Sequence, residues 1–201
     1  IAVADSLGWD RFGLLGHSLG ASVATLVAGT VPERISRLVC IEGFGPLTTP
    51  AADAPEQLAK SIARYRGSPA SVRQFESVEA AARIRAEATK VSVEAARLLC
   101  ERGTRVEAGG VIWSSDPRLR YDSPIRLTED HALAFIRKIE APTLLVGARQ
   151  GLRYPEGIYE GRRAACRNLL EVVVDGHHHL HLEGATVAGV AKAIASFEAS
   201  V

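Results

Sequence analysis

The chain has 201 residues, 47% of them hydrophobic, and a formal net charge of +1. That is enough apolar material for one globular domain, and the near-neutral balance, with its scattered arginines, gives no reason to expect nucleic acid or an anionic membrane as partner. No apolar run approaches the roughly 18 residues of a membrane-crossing helix, and no signal-peptide pattern opens the chain. Three cysteines, Cys40, Cys100 and Cys166, lie far apart and are odd in number. They suit neither a disulfide framework nor a thiolate zinc site and point to a reducing, cytoplasmic setting.

Residues 1–8 carry apolar positions at helical spacing and stop at Gly8, like the end of an amphipathic helix. The chain contains no methionine, hence no start residue, which suggests a fragment or a trimmed N-terminus. "RFGLLG" follows as a short apolar run ending in glycine, a buried strand. Residues 18–30 form an Ala-rich apolar helix, closed by Gly29 and Pro32. "RLVCIEG" is a second buried strand, and strand, helix, strand implies parallel pairing. Residues 46–55, rich in proline, read as a loop.

Residues 56–108 then read as helices: "PEQLAKSIARYRG", "SVEAAARIRAEAT" and "SVEAARLLCERG", each opening on a proline or serine cap. Residues 109–130 look irregular, and 129–139 helical. The alternation resumes with strand 142–147, a helix around 156–166, strand 169–174, a histidine-rich turn and helix 184–199. The expected fold class is α/β with a mostly parallel sheet. The core comprises residues 1–45 and 139–201, and a helical insertion occupies 46–138.

"GHSLG", residues 16–20, falls between the first strand and its helix. A G-x-S-x-G motif in that setting predicts a sharp turn that exposes the Ser18 hydroxyl at the carboxyl edge of the sheet. The helix after it aims its first N–H groups at the same place, so the Leu19 N–H is a candidate oxyanion-hole donor. The competing reading of Ser18 is an N-cap whose glycines serve packing.

From "GHSLGASVATLVAGTVPERISRLVCIEG" onward the chain resembles the α/β-hydrolase superfamily. The likeness continues through the cap-like insertion, "APTLLVGA" and "GHHHLHLE". "SSDPRLRYDSPIRLTED" resembles the serine hydrolase-like branch. The resemblance implies a triad in chain order Ser, acid, His, and early strands with an oxyanion loop lying before Ile1. The base is expected in "VVVDGHHHLHLEG", which holds His177, His178, His179 and His181. Alignment on "HLE" favours His178, and alignment on Gly176 would favour His177. Zinc is the rival use of these histidines, but adjacent ones point apart and no Cys or Glu cluster supports them, so neither metal nor cofactor is expected.

The acid departs from the family's commonest pattern. After "PTLLVG" comes "ARQGLR", with Gln150 about where an Asp would stand. Glu42, closing the "RLVCIEG" strand, is the replacement that the resemblance allows, since some members place the acid there. An unpaired charge at the end of an apolar run would also be costly. Glu156 and Asp175 are the weaker candidates. The serine argues against family chemistries that need Asp at the elbow. The expected activity is hydrolysis of a small-molecule carboxylic ester or similar acyl substrate. A non-catalytic binding module and an acyltransferase remain as alternatives. Tyr65, Phe75, Trp113 and Tyr121 serve equally as core or as substrate contacts.

Overall fold

The computed structural model describes residues 1–67 and 72–201; residues 68–71, inside the stretch expected to be helical, lie outside the described residues. In chain order the elements are α1 (Ala2–Ser6), β1 (Phe12–His17), α2 (Leu19–Thr30), β2 (Ile35–Ile41), α3 (Ala54–Arg66), β3 (Gln74–Phe75), α4 (Val78–Thr89), α5 (Val93–Gly103), β4 (Thr104–Glu107), β5 (Gly110–Trp113), α6 (Glu129–Arg137), β6 (Thr143–Ala148), α7 (Ile158–Ala165), β7 (Leu169–Val174) and α8 (Val187–Glu198). They group into two compact units, one of Ile1–Pro50, Leu127–His181 and Thr186–Val201, the other of Ala51–Arg126 and Leu182–Ala185.

The first unit is built on a four-stranded sheet of order β1-β2-β6-β7, parallel throughout. Strands in the middle of such a sheet are covered on both faces and so read as continuous apolar runs. β2 and β6 do so, with Leu38 to Ile41 and Thr143 to Val146 all buried. Successive side chains go to opposite faces. Leu38, Cys40 and Leu145 join Ala21, Ala24 and Ala28 of α2 and Ile136 of α6 in one core cluster. Val39, Ile41, Leu144 and Val146 join Val190, Ala193 and Phe197 of α8 in another. The alanines of α2 recur at helical spacing, and their small size lets the helix lie close to the sheet. All three cysteines are buried free thiols, and burial pushes the Cys40 thiol up to about 12. No helix among the described residues is long and apolar enough to cross a membrane.

The second unit differs from expectation in one respect. Residues 104–107 and 110–113 are not helix end and irregular chain but the antiparallel strands β4 and β5, with β3 on the other side of β5. The turn between them is Ala108-Gly109, and Gly109 takes φ +87°. Asx-Gly and Gly-Gly signals mark such turns, but β4 is almost wholly exposed, so its sequence shows no alternation. Phe75 and Val111 pack with Ala81, Ala82, Ala96 and Cys100 as this unit's core. Phe75 meets Trp113 edge-on, and Tyr65 meets Tyr121 in the same way. Phe75 is buried in this core, whereas Tyr65 is exposed.

Candidate active site

The turn after β1 is formed by a backbone that few residues tolerate. Ser18 sits at φ 53° and ψ −115°, as N-cap of α2 but without a side-chain capping bond. A non-glycine residue there costs of order 1–3 kcal/mol and persists only where its surroundings impose it. The surroundings are tight: a Cβ on Gly16 would lie 2.3 Å from the backbone of Gly20, and one on Gly43 would lie 2.8 Å from the Ser18 carbonyl oxygen. The Ser18 N–H donates to the Ile41 carbonyl at 2.9 Å, tying the turn to the neighbouring strand end. The capping alternative therefore does not hold, because the hydroxyl is directed elsewhere.

It faces His178, whose Nε2 is 2.9 Å from Ser18 Oγ. On the other side of the ring, His178 Nδ1 is 3.1 Å from Glu42 Oε2. These three residues are drawn together from positions 18, 42 and 178 because β1 and β2 end side by side and the loop after β7 returns over them. His177, the alternative base, is exposed, and among the described residues the partner of Ser18 Oγ is His178. Asp175 pairs instead with Arg149 at 2.6 Å on the surface.

Glu42 is 4% exposed and, like Ser18, has a positive φ, 49°. Its carboxylate accepts from the N–H of Ala148 at 2.5 Å and of Leu152 at 2.7 Å. Both donors belong to the "ARQGLR" stretch, where the family's commonest pattern would have the acid. That loop supplies the socket for a carboxylate brought from β2. A Cβ on Gly151 would stand 2.1 Å from Glu42 Oε2, so only glycine leaves room for the carboxylate. Burial pushes the carboxyl of Glu42 up, but the bonds from His178, Ala148 and Leu152 outweigh it and hold it below the usual range.

Arg162 carries no mark in the sequence that sets it apart from the other arginines. It is 1% exposed on α7 and holds Glu129 through two bonds of 2.8 Å. It also donates to the carbonyls of Phe44 at 2.7 Å and Pro46 at 2.8 Å, bracing the chain that leaves Glu42. Burial raises the Glu129 carboxyl, and the bonds from Arg162 and Thr48 overcome this and lower it. Removing Arg162 takes the donor from the Phe44 and Pro46 carbonyls and the partner from the half-buried Glu129, at a cost of about 1–3 kcal/mol. Arg162→Ala should therefore lower unfolding stability by that much in urea titration, against less than about 0.5 kcal/mol for a surface change such as Lys60→Ala.

A second group of rings lies beside the first. His17, the variable residue between Gly16 and Ser18, accepts ring contacts from His178, His179 and His181 at centroid distances of 4.7, 5.0 and 4.1 Å. Its Nε2 is 2.8 Å from the His178 carbonyl oxygen. Burial lowers the His17 imidazole. Burial, with the neighbouring histidines, also pushes His181 down to about 4.

Several known proteins are similar to this chain. Residues 2–87 match the family described as alpha/beta hydrolase fold. A serine hydrolase-like protein of Danio rerio is 28% identical over 194 residues, covering 90% of this chain and 59% of that protein. The chain thus spans less than two thirds of the curated relatives it matches. The crystal structure of the hypothetical protein PA1622 from Pseudomonas aeruginosa PAO1 superposes with TM-score 0.88 at 39% identity, over 98% of this chain and 71% of that one. The thioesterase domain from the curacin biosynthetic pathway superposes with TM-score 0.78 at 27% identity, over 96% of this chain and 69% of that one.

Proposed function

Since this chain belongs to the α/β-hydrolase superfamily, in its serine hydrolase-like branch, we propose that it is a serine hydrolase acting on a carboxylic ester or similar acyl bond, with Ser18, His178 and Glu42 as its triad. The observation that carries this reading is the unbroken series of hydrogen bonds from Ser18 Oγ through the His178 ring to Glu42. A serine hydroxyl is a weak nucleophile until a base takes its proton. In the proposed reaction Ser18 Oγ attacks the acyl carbon as His178 Nε2 takes its proton. The tetrahedral oxyanion lies against the first N–H groups of α2, that of Leu19 among them. Leu19 opens the helix, so its N–H has no intrahelical acceptor.

His178 then gives its proton to the departing alcohol or thiol, leaving an acyl-Ser18 ester. Water attacks that ester with His178 again as base, releasing the acid and restoring Ser18. Glu42 is not protonated in this cycle. It fixes the imidazole so that Nε2 faces Ser18 and stabilises the imidazolium that forms. The likeness to a thioesterase domain supports including thioesters in the acyl class.

The test is covalent labelling. A fluorophosphonate probe should modify the chain once, at Ser18, and leave Ser18→Ala unlabelled. Robust labelling of that variant, or none of the parent chain, would overturn the proposal.

A further inference from the structure

The histidine group around His17 is a second constellation, distinct from the residues assigned to hydrolysis. We propose that His17, His179 and His181 form a binding site for one divalent transition-metal ion of the zinc class. One ring nitrogen from each lies within 4.8 Å of the others. A tetrahedral zinc ion with Zn–N bonds of about 2.0–2.1 Å brings its nitrogens to about 3.4 Å of one another, so the rings need close by little more than about 1 Å. Three imidazoles form a donor set suited to zinc, copper, nickel or cobalt, and not to magnesium or calcium, which take oxygen.

Two further observations agree. The His17 Nε2 faces a backbone carbonyl, which can only accept, so that nitrogen carries the hydrogen and the lone pair is at Nδ1. Metal-bound histidines are characteristically oriented by such a bond from the ring's other nitrogen. In addition, His181 Nδ1 is buried and has no hydrogen-bond partner among the described residues. A buried polar atom without a partner is costly unless something fills the role. His178 takes no part, because both its ring nitrogens are engaged, by Ser18 and by Glu42. The sequence hid this site because His179 and His181 offer only two ligands, and the third comes from the end of β1, more than 160 positions earlier.

Binding can be read without any enzymatic assay, by titrating tag-free chain with Zn²⁺ in a calorimeter and with Co²⁺ in a visible spectrometer. One ion per chain is expected, with the Co²⁺ absorption of a tetrahedral site. His179→Gln and His181→Gln should each weaken binding at least about 100-fold, whereas His177→Ala and His178→Ala should retain it. Circular dichroism identifies any variant that fails to fold, and the parent chain decides by itself if one does. No binding to the parent chain overturns the site. So does binding that survives both glutamine variants, or that is lost in His177→Ala or His178→Ala.

Discussion

Replacing His178 by alanine is expected to lower kcat on a p-nitrophenyl ester by about 10⁶-fold, the order seen when the base of a serine triad is removed. The expectation rests on the 2.9 Å contact between His178 Nε2 and Ser18 Oγ. Without it the hydroxyl keeps its proton at neutral pH, since among the described residues no other side chain is hydrogen-bonded to Ser18 Oγ. Ser18→Ala should cost about as much, and the double variant no more than either, because in the proposed mechanism the two act as one unit. His177→Ala is the companion measurement. His177 is exposed and, among the described residues, has no hydrogen bond to Ser18, His178 or Glu42, so its loss should change kcat by less than about threefold. A large effect at 177 with a small one at 178 would reverse the assignment.

Glu42→Gln should lower kcat by about 10⁴-fold, as a neutral amide in this role favours the wrong histidine tautomer. The same change should destabilise the fold. The carboxylate accepts three donors, from Ala148, Leu152 and His178. An amide has one oxygen, and its NH₂ would face a backbone N–H, leaving a buried donor unsatisfied at about 1–3 kcal/mol. The pH dependence follows from the lowered carboxyl of Glu42. The folded chain binds this proton less readily than the unfolded chain, so the carboxylate favours folding. That contribution is complete above the ordinary carboxylate pKa of about 4.3 and is lost as pH falls through the lower folded value. Parent and Glu42→Gln should therefore differ in urea midpoint at pH 7 and converge in acid. A constant gap between them would place the effect in packing instead.

The parts of this molecule that depend on neighbours in sequence are legible in the sequence itself. β1, α2 and β2 follow from apolar runs and glycine stops, and the setting of Ser18 follows from them. His178 and Glu42 needed the family likeness, since a run of histidines does not say which ring turns inward. What stayed hidden depends on partners far apart in the chain. Arg162 reads as one arginine among many on an amphipathic helix, and only the carbonyls of Phe44 and Pro46, some 116 to 118 positions away, reveal its place. The "ARQGLR" stretch looked like a site with its acid missing. Its backbone N–H groups, which no side-chain pattern encodes, are what receive Glu42. The β4–β5 hairpin escaped because an exposed strand has no apolar face to give it away.

Among the described residues only three non-glycine positions have positive φ, and two of them are Ser18 and Glu42. Selection for thermal tolerance alone would act against the first of these. Glycine at position 18 would relieve a backbone cost of order 1–3 kcal/mol while forfeiting only a hydroxyl that caps nothing. Position 42 would resist, because its carboxylate satisfies buried donors. A library of this chain ranked by heat survival should thus enrich glycine at 18 and glutamate at 42, separating in one experiment a residue that only the proposed mechanism requires from one that the fold requires as well.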